Sequence, residues 1–450
     1  MRLGSVTIVG AGLAGAQMAA ALRSHGYTGH LTVLGAEGVP PYDRPPLSKE
    51  LLSRTEPLWI ADDLGVDLSV LADDVRLGEP ATRLVAGRQD VVTHTASGTI
   101  TSDAVVLACG AVPVLPPDWN AAAVLHTHQD AAALRAALRP GLRIVIVGAG
   151  WIGAEVAGVA AGAGADVTVV EAGGTPFERQ LGGAVGARLA PWFEAAGVRL
   201  ITGTPVEKVS GDGVATASGE FLPADLVLAA VGARPASAWL RGSLPLDPAG
   251  RLRVNRAGRF VGLPGPGDPA GRLHTDAMER VWAVGDIATR EHPVFGTVPG
   301  GHWSAALHDP ELTARAMLGV DDRPADSEEV RARLGLAPLP STAPYVFSRQ
   351  LGHDLALFGM PSPFEEVAFR GDPATAERWS AYYVEHSLER NPRVTGEGHH
   401  VARVRAVLLA DSPREVGQIR KLMNRPEPLL VDLEKIVDPA VRLRDAVLTD

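Results

Sequence analysis

Two glycine-rich loops of one design constrain this chain more than any other feature. The first reads Val9-Gly10-Ala11-Gly12-Leu13-Ala14-Gly15 and the second Val147-Gly148-Ala149-Gly150-Trp151-Ile152-Gly153. Each follows an apolar run, SVTIVG or RIVIVG, that reads as a buried parallel strand, and each opens an alanine-rich helical stretch. A lone G-x-G-x-x-G is weak evidence, but the strand-loop-helix setting gives each glycine a task. The first permits a tight turn, the second lets the backbone approach a pyrophosphate, and the third allows close helix packing. The helix N-terminus then faces the phosphates. Gly10, Gly12 and Gly15 thus predict one dinucleotide site, and Gly148, Gly150 and Gly153 a second. One can hold a flavin and the other a nicotinamide. The chain has a single cysteine, Cys109, so an intramolecular disulfide is excluded and electrons must leave by another route.

The nicotinamide assignment rests on an acid. Glu171 ends the run VTVVE, close to the ~20-residue spacing at which a carboxylate meets the adenosine ribose. A carboxylate there accepts from the ribose hydroxyls and repels a 2′-phosphate, which predicts NADH rather than NADPH. At the first loop the corresponding acid is less sharply placed. The chain reads Leu34-Gly35-Ala36-Glu37, and Glu37 is the candidate with a register ambiguity of one residue.

The bulk numbers narrow the class. A length of 450 residues suggests roughly three domains. A net charge of −10 disfavours nucleic acid as a partner, which would need a basic footprint. The cysteine count also argues against a thiolate metal cage and points to a reducing, cytoplasmic setting. The N-terminal MRLGSVTIVGAGLAGAQMAAAL superficially resembles a signal peptide, but only the phosphate-loop reading explains its glycine spacing. Glycines, Glu155 and Asp166 interrupt the apolar stretch 143–170, so no membrane span is expected. His399-His400, without a neighbouring cysteine or acid pair, reads as solvated rather than metal-binding.

Along the chain, residues 5–35 read strand-helix-strand, and short β-branched runs from 75 lead to AVVLACG. The second strand-helix-strand unit spans 143–171. A helical stretch, LGGAVGARLAPWFEAAG, and further strands lead to DLVLAAVG, and a later run ends in VWAVGDIA. The layout predicts a first domain interrupted by the second: 1–110 with 236–322 for FAD, and 111–235 for NAD. The Pro/Gly-rich stretch 262–271 reads as a surface loop, and the charged, proline-containing stretch 321–340 as a separator. From Tyr345 the strands YVFSRQ, DLALFG and RVRAVLLA precede a helix, PREVGQIRKLM, which predicts an α+β domain within 323–450.

Pro41-Tyr42-Asp43-Arg44-Pro45-Pro46-Leu47-Ser48-Lys49 is the most specific string in the chain. It resembles the signature of the flavin-dependent ferredoxin, putidaredoxin and rubredoxin reductases of bacterial oxygenase systems, and of apoptosis-inducing factor. The resemblance extends to GAGWIGAE at 148–155, Gly285-Asp286-Ile287-Ala288, His302-Trp303 and PYVFSRQ. It implies an α/β, glutathione-reductase-like fold with two Rossmann-type dinucleotide-binding domains and a C-terminal α+β domain. It also implies bound FAD and a monomer or homodimer.

Carried over by residue, the resemblance places Arg44 and Lys49 against FAD, with Lys49 near the isoalloxazine. It places Glu155 near Lys49 and the nicotinamide, Asp286 on the ribityl chain and Trp303 beside the flavin. Further cofactor contacts are implied at Ala14, Ala81, His126, Ile152 and Gly232. Lys49 and Glu155 are the implied catalytic pair. Lys49, Lys208, Lys421 and Lys435 are the lysines of a chain otherwise using arginine, consistent with a role at Lys49 that arginine cannot fill. The chain departs from the family at Cys109, where A-T-G becomes Ala108-Cys109-Gly110. It departs also at His126, Pro299, Gly301 and Phe347, the last replacing the tryptophan of F-W-S. Cys109 itself, at a buried strand end, reads as structural.

The implied activity is hydride transfer from NADH to FAD and single-electron delivery to a ferredoxin-type iron–sulfur protein serving an oxygenase. Docking is expected near Phe347 and Arg349, with Arg331, Arg333, Arg420 and Lys421 as further basic candidates. Two other readings share the motifs: an FAD-dependent NADH oxidoreductase acting on a small molecule, quinone or oxygen, and an NADH-sensing interaction flavoprotein.

Overall fold

The computed structural model describes residues 3–262, 276–320, 342–362, 365–386 and 401–448. They fall into two compact units, each assembled from separated stretches of chain. One comprises 1–43, 57–112 and 233–342; the other comprises 44–56, 113–232 and 343–450. His399, His400, Arg331 and Arg333 lie outside the described residues, as do the separator 321–340 and nearly all of the loop 262–271.

The first unit is built on a five-stranded parallel sheet. Its order is Val281–Ala283, Ala104–Leu107, Ser5–Val9, His30–Gly35 and Asp74–Leu77. Ser5–Val9 is central, with Ile8 opposite Val33 on one side and Val106 on the other. These strands are near-continuous apolar runs because both faces of a parallel sheet are covered. Ile8, Val33 and Val106 are fully buried. Helix Leu13–Ser24 packs on this sheet through Ala16, Met18, Ala19 and Leu22. The edge strand Val281–Ala283 comes from far along the chain, so this sheet is completed only after residue 280.

The second unit repeats the plan. Four parallel strands run in the order Arg199–Ile201, Asp166–Val170, Arg143–Val147 and Leu226–Ala229. Helix Trp151–Gly162 follows the central strand. The same unit contains an antiparallel sheet of Tyr345–Gln350, His353–Gly359, Val401–Ala410, Trp379–His386 and Glu366–Arg370, with Leu429–Asp432 added to Val401–Ala410. Leu351, Leu355, Trp379 and Tyr383 from this sheet share one core with Val156, Ala160, Leu181 and Phe193. Tyr383, buried in that core, donates its hydroxyl to the Leu181 carbonyl at 2.8 Å.

Gly158 makes the approach close. A Cβ on it would lie 2.7 Å from the Leu351 amide nitrogen, so only glycine lets helix Trp151–Gly162 sit this near the turn after Tyr345–Gln350. Leu351 itself adopts φ 53° at that turn. Helix Glu178–Ala195 starts three residues before the expected LGGAVGARL stretch. It follows Phe177 at φ 56° and is broken at Gly182, where φ is 76°.

Among the described residues, no helix is long and apolar enough to cross a membrane.

Candidate active site

The two phosphate loops have nearly the same backbone. Gly12 and Gly150 precede their helices at φ −91°, ψ −165° and φ −89°, ψ −165°. Gly10 (φ 119°) and Gly148 (φ 105°) hold a conformation that L side chains rarely adopt. A Cβ on Gly10 would also meet the Ala108 carbonyl oxygen at 2.2 Å, and one on Gly148 the Ala230 oxygen at 2.5 Å. Gly15 and Gly153 are equally crowded, with Gly10 O at 1.8 Å and Gly148 O at 2.0 Å from the added carbon.

Gly12 differs, because a Cβ there would meet nothing within 4 Å. The packing therefore demands the first and third glycines of each loop, while Gly12 keeps an open face at its helix N-terminus and Gly150 faces only the end of the Gln180 side chain. Neither helix has an acid in its first turn or a side-chain cap. This is the cradle a pyrophosphate needs, and the residues present fit a dinucleotide at each loop.

Glu171 directly follows strand Asp166–Val170. Its Oε2 accepts from the Ala149 amide at 2.7 Å and its Oε1 from the Gly173 amide at 2.8 Å. A carboxylate offers about four acceptor positions, so capacity remains for ribose hydroxyls. Two neighbours were not visible in the sequence pattern. Glu178 Oε2 accepts from the Thr175 amide at 3.3 Å, over the same turn. The Gln180 amide nitrogen stands 3.0 Å from where a Gly150 Cβ would be. Ile152 is exposed beside this loop. Gly232 takes φ 115° and its carbonyl accepts from Val114 N at 2.9 Å.

Around the first loop, Glu37 lies two residues beyond strand His30–Gly35 and accepts from the Tyr42 hydroxyl. Trp303 Nε1 donates to Asp43 Oδ1 at 2.9 Å, joining the Pro41–Lys49 string to the His302-Trp303 motif. Asp286 Oδ1 accepts from Gly301 N at 3.0 Å. Gly300 lies so close to Gly285 that an added Cβ would sit 2.5 Å from the Gly285 oxygen. Ala14 is buried 3.1 Å from the Cβ position of Gly285. Ala81 packs against the core cluster that includes Leu84 and Leu107.

His302 caps helix Trp303–Met317 by accepting from Ala305 N at 3.1 Å. Burial lowers its imidazole from 6.5 to about 4, so it caps as the neutral ring.

Burial pushes Cys109 up to about 12, and its thiol donates to the Val9 carbonyl at 3.3 Å. As the only cysteine, and a protonated one, it offers no dithiol route.

Residues 44–56 belong to the second unit, and there the string builds an ionic cluster around the buried Glu155. Pro46 opens the one-turn helix Pro46–Lys49, where its missing N–H is harmless. Lys49 Nζ pairs with Glu155 Oε1 at 2.8 Å and lies 4.9 Å from the centroid of the Phe347 ring. Glu155 is buried on helix Trp151–Gly162 and accepts from Ser48 and Ser348 hydroxyls, each at 2.5 Å. Arg44 Nη1 donates to the His126 carbonyl at 2.5 Å. Asp130 in turn holds the His126 and Thr127 amides at 3.0 and 2.8 Å. Arg349, expected at a docking surface, is exposed but pairs with Asp354 at 2.9 Å.

Residues 4–309 match the family model for pyridine nucleotide-disulphide oxidoreductases. The chain belongs to this family. It is an NAD(P)H-dependent flavoprotein oxidoreductase of mixed α/β, glutathione-reductase-like fold, with FAD and NAD(H) as its cofactors. The chain is 36% identical to the biphenyl dioxygenase system ferredoxin–NAD(+) reductase component of Paraburkholderia xenovorans, over 83% of this chain and 85% of that one. It is 29% identical to a probable ferredoxin reductase, CtmF, of Castellaniella defragrans, over 97% of each. A crystal structure of a covalent putidaredoxin reductase–putidaredoxin complex matches 98% of this chain and 97% of its own with a TM-score of 0.79 and 26% identity. The family's namesake disulphide cannot form here, since Cys109 has no partner thiol.

Proposed function

We propose that this protein takes hydride from NADH through FAD and passes single electrons to a ferredoxin-type iron–sulfur protein that serves an oxygenase. One observation carries the reading: a single chain has two glycine-rich loops of matching backbone geometry, while its sole thiol has no second thiol to pair with. Two nucleotides without a dithiol make a reductase whose electrons go directly from flavin to an external acceptor. The names of the relatives supply the class of that acceptor.

In this reading 1–110 and 236–322 form the FAD-binding domain, 111–235 the NAD-binding domain and 323–450 the C-terminal domain. Gly10, Gly12, Ala14, Gly15, Glu37, Ala81, Asp286 and Trp303 hold FAD, with Arg44 and His126 contributing. Gly148, Gly150, Ile152, Gly153, Glu171 and Gly232 hold the nicotinamide cofactor. Bound FAD would supply the change from two-electron to one-electron transfer, which no side chain of the protein can supply.

The chain's own residues orient and discriminate. Glu171 and Glu178 place two carboxylates at the ribose end of the second loop, which favours NADH over a 2′-phosphorylated cofactor. Lys49 supplies a partly buried positive charge where an electron-rich ring is to be stabilised, and Glu155 fixes that charge and serves the nicotinamide.

The test is anaerobic reduction by NADH followed by reoxidation with ferredoxins, quinones and oxygen in parallel. Preferential reoxidation by a ferredoxin supports the proposal.

A further inference from the structure

We propose that Ser48 and Ser348 are positioning residues that clamp Glu155 in one orientation and thereby fix the ammonium of Lys49. This rests on the assignment of Lys49 and Glu155 to the hydride-transfer site.

Two segments remote in sequence converge on the carboxylate of a third. Ser48 donates to Oε2 of Glu155 at 2.5 Å. Ser348 donates to Oε1 at 2.5 Å, and Lys49 Nζ meets the same Oε1 at 2.8 Å. Ser48 and Lys49 are adjacent on the one-turn helix Pro46–Lys49 yet engage different oxygens. The carboxylate therefore cannot rotate about its terminal bond without breaking bonds on both sides. Ser348 lies on strand Tyr345–Gln350, and Gly158, one turn beyond Glu155, admits the turn that follows this strand.

A buried carboxylate left with one partner would be costly, and two hydroxyl donors remove that cost without adding charge. An ionised carboxylate only accepts, so both serines must donate. Phe347, next to Ser348, covers the ammonium from another side at 4.9 Å. The lysine is thus located by a carboxylate that the serines locate.

The variants are Ser48→Ala, Ser348→Ala, the double change, and Ser348→Thr as a conservative rescue. The first readout needs no turnover. The infrared carboxylate band of Glu155, identified by its loss in Glu155→Gln, should shift in each alanine variant and return in Ser348→Thr. The second is the anaerobic half-reaction with NADH. The hydride rate should fall roughly tenfold per hydroxyl, the size expected for a lost hydrogen bond to a buried charge, while NADH affinity changes less than about twofold. Glu155→Ala should abolish the sensitivity to both serines.

An unmoved Glu155 band in the single variants would overturn the clamp, as would a rate loss that threonine does not restore. A band that moves while the hydride rate stays at the wild-type value would support the clamp and refute the catalytic assignment of Lys49 and Glu155. The two failures are therefore distinguishable.

Discussion

Replacing Glu171 with alanine should narrow the preference for NADH over NADPH, by an amount that the geometry bounds. The wild-type carboxylate already accepts from Ala149 N and Gly173 N. In the proposed reading its remaining acceptor capacity serves the ribose. Losing a charged hydrogen bond to a hydroxyl costs about 1.5–3 kcal/mol, which weakens NADH roughly ten- to a hundredfold. For NADPH the sign is opposite. A unit negative charge ~5 Å from the carboxylate at an effective dielectric of ~20 is repelled by about 3 kcal/mol, and the substitution removes that repulsion. It also frees the Ala149 and Gly173 amides as donors for a phosphate. Glu178 still faces the same turn, so Glu171→Ala should close the gap partly and Glu171→Ala with Glu178→Ala nearly completely. The assay is anaerobic titration of each cofactor, with dissociation constants read from calorimetry and from the flavin spectrum. An unchanged ratio of the two affinities in both variants would refute the reasoning.

The loops, the capping histidine and the docking surface give three further expectations. Gly12→Ala should fold with a wild-type melting temperature but lose FAD, because its Cβ points into open space; Gly15→Ala, with 1.8 Å to a carbonyl oxygen, should lose both FAD and stability. Equal FAD content in Gly12→Ala and wild type would end the cradle assignment. His302 is lowered from 6.5 to about 4, so its contribution is fully present above pH ~6.5 and is lost as pH falls toward 4. That loss amounts to about 3 kcal/mol. His302→Asn, which keeps an acceptor at the cap, should therefore flatten the fall in urea midpoint over that window; a slope identical to wild type would contradict this. Arg349 is half-neutralised by Asp354, whereas Arg420 stacks over Tyr345 at 5.1 Å. Arg349→Glu puts a second acid beside Asp354, and it should slow an acidic ferredoxin more than ferricyanide, increasingly so at low salt. Equal losses with both acceptors would remove this surface from docking.

What the sequence made legible was local. Two glycine patterns flanked by apolar runs gave both parallel sheets, because a strand, a turn and a helix within thirty residues carry their own signals. The place of Glu171 at the end of its strand was readable for the same reason. The supporting bonds were not. Glu155 sits 107 residues from Ser48 and 193 from Ser348, and a serine carries no pattern that announces such a partner. Asp43 and Trp303 are 260 residues apart, although each lies in a recognisable string. Glu178 carried no signal of its own, and only the fold brings it to the Thr175 amide. Arg349, read as a docking residue, is held against Asp354 by the hairpin, a pairing the sequence pattern does not announce. The departures at Gly301 and Cys109 also acquire local meanings: Gly301, at φ 114°, gives its amide to Asp286, and Cys109 fills a strand end beside Val9.

The central claim is that hydride enters from NADH and leaves as single electrons to an iron–sulfur protein. Anaerobic stopped-flow mixing tests it most directly. NADH should bleach the flavin, and a ferredoxin from an oxygenase system should then restore the oxidised spectrum faster than equimolar quinone or oxygen does. A flavin bleached by NADH that no ferredoxin reoxidises faster than quinone or oxygen would contradict the account.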